Sequence, residues 1–125
     1  MILGIGTDIA SIERFRNSRV ELDKFASKIL TDYEQQEYTK SEFKENFLAK
    51  RWAAKEAISK AWGTGISSTT KWKSIEVRHN QLGAPFTCFY NELNDAIIRL
   101  DAKCHLSISD EGDTVIAYSI IEYSR

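Results

Sequence analysis

EFKENFLAKRWAAKEAISKAW, Glu42–Trp62, is the stretch on which the fold turns. It contains no Gly or Pro and is dense in strong helix formers, so it predicts the longest helix of the chain, stopped by Gly63. Ala53, Ala57 and Ala61 recur every four residues, a stripe that lets another element come close to the helix backbone. Phe47, Leu48, Ala54 and Ile58 supply apolar bulk, which makes this a central helix. Trp52, Glu56 and Lys60 share an adjoining face, so a carboxylate and an ammonium project together near the C-terminal end. Taken alone, such a pair reads as a surface salt bridge.

Towards the N-terminus, Met1 to Ile9 alternates as a strand does. Leu3, Ile5, Thr7 and Ile9 fall on one face; Gly4, Gly6 and Asp8 fall on the other, which is bare apart from its carboxylate. Two glycines leading to an aspartate predict close approach of a backbone or a ligand on that side. Ser11 is positioned to cap a helix through Phe15, and Leu22–Leu30 has helical spacing. Thr31-Asp32-Tyr33-Glu34 has the form of a capping box opening a third short helix through about Thr39. Beyond Gly63-Thr64-Gly65, Trp72–Arg78 and Pro85–Tyr90 predict a hairpin around Asn80–Ala84. Glu92–Leu100 reads as an amphipathic helix, His105–Ser109 as a strand, Asp110–Asp113 as a turn and Thr114–Glu122 as the last strand. The order predicts an α+β domain, a mostly antiparallel sheet packed against one long central helix, in a single unit spanning residues 1–125.

Composition narrows the function. The 17 Lys and Arg against 18 Asp and Glu leave a net charge of −1, so no diffuse basic field is available for a nucleic-acid backbone and charge recognition must be local. With 42% hydrophobic and 11% aromatic residues, the 125-residue chain has the material for a packed core. No stretch matches a membrane span or a secretory signal, and the expectation is a soluble cytoplasmic protein. Cys88 and Cys104 do not make a disulfide framework, and with His79 and His105 they lack the short ligand spacing of a zinc site. Gly4-x-Gly6 lacks the third glycine of a dinucleotide fingerprint, and Gly63-Thr64-Gly65 lacks the Gly-Lys-Ser/Thr ending of a P-loop. Ser107, His105 and Asp110 are too generic to form a nucleophilic triad.

Three blocks taken in order resemble the holo-acyl-carrier-protein synthase family, the small bacterial 4′-phosphopantetheinyl transferases. They are Gly4-Ile5-Gly6-Thr7-Asp8-Ile9; Phe47 to Ala57 with its Trp52-Ala53-Ala54-Lys55-Glu56-Ala57 core, continuing through Lys60-Ala61-Trp62-Gly63-Thr64-Gly65-Ile66; and His105-Leu106-Ser107-Ile108-Ser109-Asp110-Glu111. The resemblance implies the 4′-phosphopantetheinyl transferase fold. It also implies transfer of the phosphopantetheine arm of coenzyme A to a serine of apo-acyl carrier protein, with release of adenosine 3′,5′-bisphosphate. Asp8 and Glu56 match the family's two Mg²⁺-binding acids, a donor set suited to magnesium. Lys60 corresponds to the lysine that stabilises phosphate. The serine's general base stays open among Lys60, Asp8 and a metal-associated water. His105 is implied as a coenzyme A contact from the neighbouring subunit; Lys50, Arg51, Gly63 and Gly65 are further candidate contacts. Homotrimers with active sites between subunits are usual in the family.

The sequence departs from the family in two places. Carrier docking by basic residues would fall to Arg14, Lys24 and Lys28, yet Glu21 stands where some relatives carry a basic residue. Asp110 replaces a second histidine of some members, and with Glu111 and Asp113 reads as a turn residue. The competing functional reading is a nonenzymatic module that binds coenzyme A or another diphosphate nucleotide; a purely structural oligomer would leave Asp8 and Glu56 replaceable.

Overall fold

The computed structural model describes residues 1–16 and 19–124. The chain runs β1 (Ile2–Ser11), a 3-10 turn (Ile12–Phe15), α1 (Arg19–Ile29), α2 (Asp32–Lys40) and α3 (Lys44–Trp62). A second 3-10 turn (Trp72–Ser74) leads into β2 (Ile75–His79), β3 (Pro85–Phe89), α4 (Asn91–Arg99), β4 (Lys103–Glu111) and β5 (Thr114–Glu122). The α+β architecture is the one expected. Every strand pairing is antiparallel, with β5 between β1 and β4 in one sheet and β2 with β3 in a separate two-stranded sheet.

α3 is central because both of its long sides are covered. One apolar cluster joins Leu48, Ala49 and Ala53 to Phe15, Ile29 and Tyr38; another joins Ala54, Ile58 and Ala61 to Ile75, Leu93 and Ile121. The alanine stripe does what its spacing predicts. A Cβ added at Gly4 would collide with the carbonyl of Ala61, and one added at Gly6 with the carbonyl of Ala57, so α3 lies directly on the bare face of β1. Gly63 stops the helix in the left-handed conformation (φ +97°), its N–H bonded to Ser59 O and Lys60 O.

The apolar face of β1 points the other way. Ile5 and Ile9 are 60% and 67% exposed, and their neighbours on β5, Ile116 and Tyr118, are also open to solvent. That face of the sheet is therefore a contiguous apolar surface that none of the described residues covers.

Some local expectations are corrected. Ser11 does not cap a helix: its hydroxyl donates to Asp113 across the sheet, and the chain that follows makes only a 3-10 turn. Trp72 is not in a strand, because its indole stacks on Trp52 at 4.6 Å and the backbone curls through Trp72–Ser74 before β2 starts. Asp110 and Glu111 extend β4, so the turn shrinks to Gly112-Asp113, with Glu111 paired to Thr114. Gly112 at φ +59° permits so tight a hairpin. The capping box of Thr31 and Glu34 is present with both reciprocal bonds.

Candidate active site

β1 carries Asp8 on its glycine face, and α3, lying on that face, carries Glu56 and Lys60 one turn apart. Lys60 Nζ donates to Thr7 O at 3.0 Å and to Asp8 Oδ1 at 3.2 Å. The helix-surface pair expected of Lys60 thus gives way to a bond across to the strand. Asp8 Oδ2 is buried with no hydrogen-bond partner among the described residues. Burial and the nearby Asp8 charge push the Glu56 carboxyl above its ordinary range, against the lowering influence of Lys60 and Arg14. Two acids facing each other with one oxygen unsatisfied form a site short of positive charge. Among the described residues no cluster of three or more His, Cys, Asp or Glu gathers around a metal position. Two carboxylates suit Mg²⁺, which keeps waters and takes its remaining oxygens from substrate phosphates. The residues present therefore fit that ion.

Arg14 lies over the rings of Phe15 and Trp52, at 5.8 and 5.5 Å, on the Glu56 side of α3. Lys50 is half-buried, 3.6 Å from Asp110 on β4. Gly63 and Gly65 follow α3 with positive φ and open space where a side chain would project. His105 occupies the opposite face of the sheet from Asp8, opposite Ile120, which in turn pairs with Ile5. Its Nε2 is 3.0 Å from Glu122 Oε1, and this contact holds the Glu122 carboxyl below its usual range. A single chain does not bring His105 to Asp8.

Arg51 lies in the interior. It is 4% exposed, its Nε 3.4 Å from Glu34 Oε2 and its guanidinium over the Phe47 ring at 4.4 Å. The partner it finds belongs to a cluster that sequence reading missed. Lys55 and Glu34 are fully buried and paired at 2.6 Å. Burial lowers the Lys55 ammonium's pKa, with Glu34 opposing. Glu76, 2% exposed, accepts from Thr31 Oγ1, Arg78 Nε and Tyr90 Oη; burial raises its carboxyl, but those three bonds together hold it below the ordinary value. The only signal in the sequence is a Lys-Glu dipeptide inside an alanine-rich helix, which does not say which way Lys55 points.

Residues 4–119 match the family model of the 4′-phosphopantetheinyl transferase superfamily. The chain belongs to that superfamily and is an enzyme of this kind. Among its relatives, the holo-[acyl-carrier-protein] synthase of Dechloromonas aromatica is 42% identical over 125 residues, covering 99% of this chain and 100% of the relative. The crystal structure of holo-[acyl-carrier-protein] synthase from Neisseria meningitidis superposes with a TM-score of 0.87 at 40% identity, covering 98% of this chain and 99% of that one. The Bacillus anthracis synthase in complex with CoA (3′,5′-ADP) superposes with a TM-score of 0.82 at 37% identity, covering 99% of each chain.

Proposed function

We propose that this chain is a cytoplasmic holo-acyl-carrier-protein synthase that transfers 4′-phosphopantetheine from coenzyme A to a serine of apo-acyl carrier protein, in support of fatty acid biosynthesis. The observation that carries the reading is the unsatisfied Asp8 Oδ2 beneath α3, with Glu56 and Lys60 on the adjoining helix turns. In the reaction the serine Oγ–P bond forms, the bridging P–O bond of the diphosphate breaks, the hydroxyl proton passes to a general base and adenosine 3′,5′-bisphosphate departs. Negative charge accumulates on the phosphoryl oxygens and the leaving group, and fixed positive charge there lowers the barrier. Asp8 and Glu56 are the residues that would hold Mg²⁺, which when bound supplies part of that charge. Lys60 supplies a further charge: anchored by Thr7 O and Asp8, its ammonium is held at the site without a search through rotamers. Lys50 and the backbone at Gly63 and Gly65 are proposed as further coenzyme A contacts.

His105, on the same face of the sheet as exposed Ile5 and Ile9, supports a homotrimer in which that sheet face packs on another subunit and His105 serves a neighbour's coenzyme A. Exposed Arg14, Lys24 and Lys28 around the start and outer side of α1 are the proposed docking residues for an acidic carrier. Reversing Arg14 and Lys24 to Glu is expected to weaken carrier binding while sparing coenzyme A; an unchanged carrier affinity rejects that footprint.

Intact-protein mass spectrometry of apo-acyl carrier protein, incubated with this enzyme and coenzyme A in Mg²⁺ or in a chelator, tests the reading. The expected result is one added phosphopantetheine in Mg²⁺ only. No gain across several carriers, with coenzyme A still bound, identifies a binding module instead.

A further inference from the structure

Lys55 immediately precedes Glu56 in α3 and points away from the catalytic face into the interior. Its ammonium has three donors and meets three acceptors: Ile29 O at 2.5 Å, Glu34 Oε1 at 2.6 Å and Trp72 O at 2.9 Å. Glu34 is equally occupied. Thr31 N donates to its Oε1 at 3.0 Å and Val77 N to its Oε2 at 2.9 Å. One buried ion pair thus joins α3 to the end of α1, the cap of α2, the 3-10 turn at Trp72 and the start of β2.

Stability alone is a poor account of this pair. Two charges with 0% side-chain exposure pay a desolvation cost that well-packed apolar side chains of similar volume avoid, often with no loss of stability. What the pair adds is direction. On the opposite side of α3 the carbonyls of Ala57 and Ala61 sit directly on Gly6 and Gly4 of β1, a contact that sets how closely the two elements approach. An ammonium bonded to three oxygens on three other segments adds a directional restraint to the apolar packing along α3. Rotating α3 would carry Glu56 and Lys60 past Asp8, so the side that fixes rotation also fixes the site.

We infer that Lys55, through Glu34 and the carbonyls of Ile29 and Trp72, is a positioning residue that sets the rotation of α3 over β1 and with it the placement of Glu56 beside Asp8. The inference rests on the reading of Asp8 and Glu56 as the ligands of a divalent cation. It goes beyond that reading in giving a buried ion pair that holds no metal ligand control over metal affinity.

The test measures Mn²⁺ binding by EPR, together with kcat and the KM for coenzyme A, in the full-length protein and its variants. Lys55→Arg keeps the charge, but a planar fork does not match three converging acceptors. It is expected to weaken Mn²⁺ binding about tenfold and to lower kcat in proportion, with KM for coenzyme A within about twofold. Glu34→Asp keeps every charge while shortening the arm by one methylene, and gives a second reading with the same direction as Lys55→Arg. Parental Mn²⁺ affinity and kcat in folded Lys55→Arg or Glu34→Asp overturn the inference alone. Parental Mn²⁺ affinity in Glu56→Gln overturns the cation reading, and the inference with it.

Discussion

Replacing Gly6 by alanine tests both the fold and the site with one methyl group. A Cβ at this position stands 2.6 Å from the Ala61 nitrogen and closer still to the Ala57 carbonyl oxygen, whereas ordinary contact begins at 3.4 Å. Both obstacles are backbone atoms of α3, so no side chain can swing aside; the helix itself must lift from β1 by about 1 Å. Overpacking of this kind costs about 1–3 kcal/mol, which for a domain of this size lowers Tm by roughly 4–12 °C. The site loses more than the fold. Asp8 stays on β1 while Glu56 and Lys60 move away with α3, and a displacement of about 1 Å at reacting groups costs about 100-fold in rate. Thermal denaturation and carrier modification followed by mass spectrometry would be measured together. Gly112→Ala serves as the control, since its added methyl meets nothing within 4 Å and only its φ of +59° is strained. It is expected to cost about 1–2 kcal/mol without loss of turnover. A Gly6→Ala enzyme with parental Tm and parental turnover would refute the account of how β1 and α3 assemble the site.

Glu56→Gln is expected to abolish turnover while stabilising the metal-free protein at neutral pH. The Glu56 carboxyl is raised in the folded state, so folding takes up protons as the pH rises past the unfolded value, and its stabilising contribution, full below about 4.5, is lost as pH climbs through the folded value. The Tm advantage of Glu56→Gln should vanish below that pH; an advantage that persists in acid contradicts the electrostatic cause. Added Mg²⁺ should raise the Tm of the parent and leave Glu56→Gln unmoved, read by the same melts. Ile9→Glu places a charge on the uncovered sheet face and is expected to yield monomers in sedimentation velocity; an intact trimer would move the interface elsewhere. Glu76→Gln leaves Thr31, Arg78 and Tyr90 sharing a weaker acceptor and should cost about 1–3 kcal/mol in urea unfolding. The Glu76 carboxyl is lowered in the fold, so its contribution is present above the unfolded value and lost as pH falls through the folded one; a deficit in Glu76→Gln unchanged at pH 3 argues against that origin.

Local chemistry made much of this protein readable in advance. The run from Glu42 to Trp62 forms a helix because nothing in it breaks one, and Gly63 ends it because only glycine takes a φ of +97° without strain. The capping box of Thr31 and Glu34 and the alternation of Thr114–Glu122 are equally local, set by neighbours a few residues away. Asp8, Glu56 and Lys60 were legible as candidates because the blocks that hold them resemble, in order, those of the synthase family; taken alone, the Glu56 and Lys60 pair reads as a surface salt bridge.

Their partners were not legible, because those lie far away in the chain. Lys60 bonds residues more than fifty positions earlier, and Lys55 closes on a glutamate whose local role is to cap another helix. Arg51, next to Lys50 in sequence, turns into the core because a helix advances each side chain by about 100°, and only the packed neighbours decide which direction is inside. The same holds for β1: alternation separates Gly4, Gly6 and Asp8 from Ile5 and Ile9, but it does not say which face meets the helix. The sequence by itself determined the elements, their order and the chemical character of the site. Tertiary structure alone decided that the glycine face receives α3, that an apolar face remains outside, and that a buried lysine ties the helix bearing Glu56 in place. Period and propensity act over a few residues, whereas burial and charge pairing depend on which distant surfaces fold together.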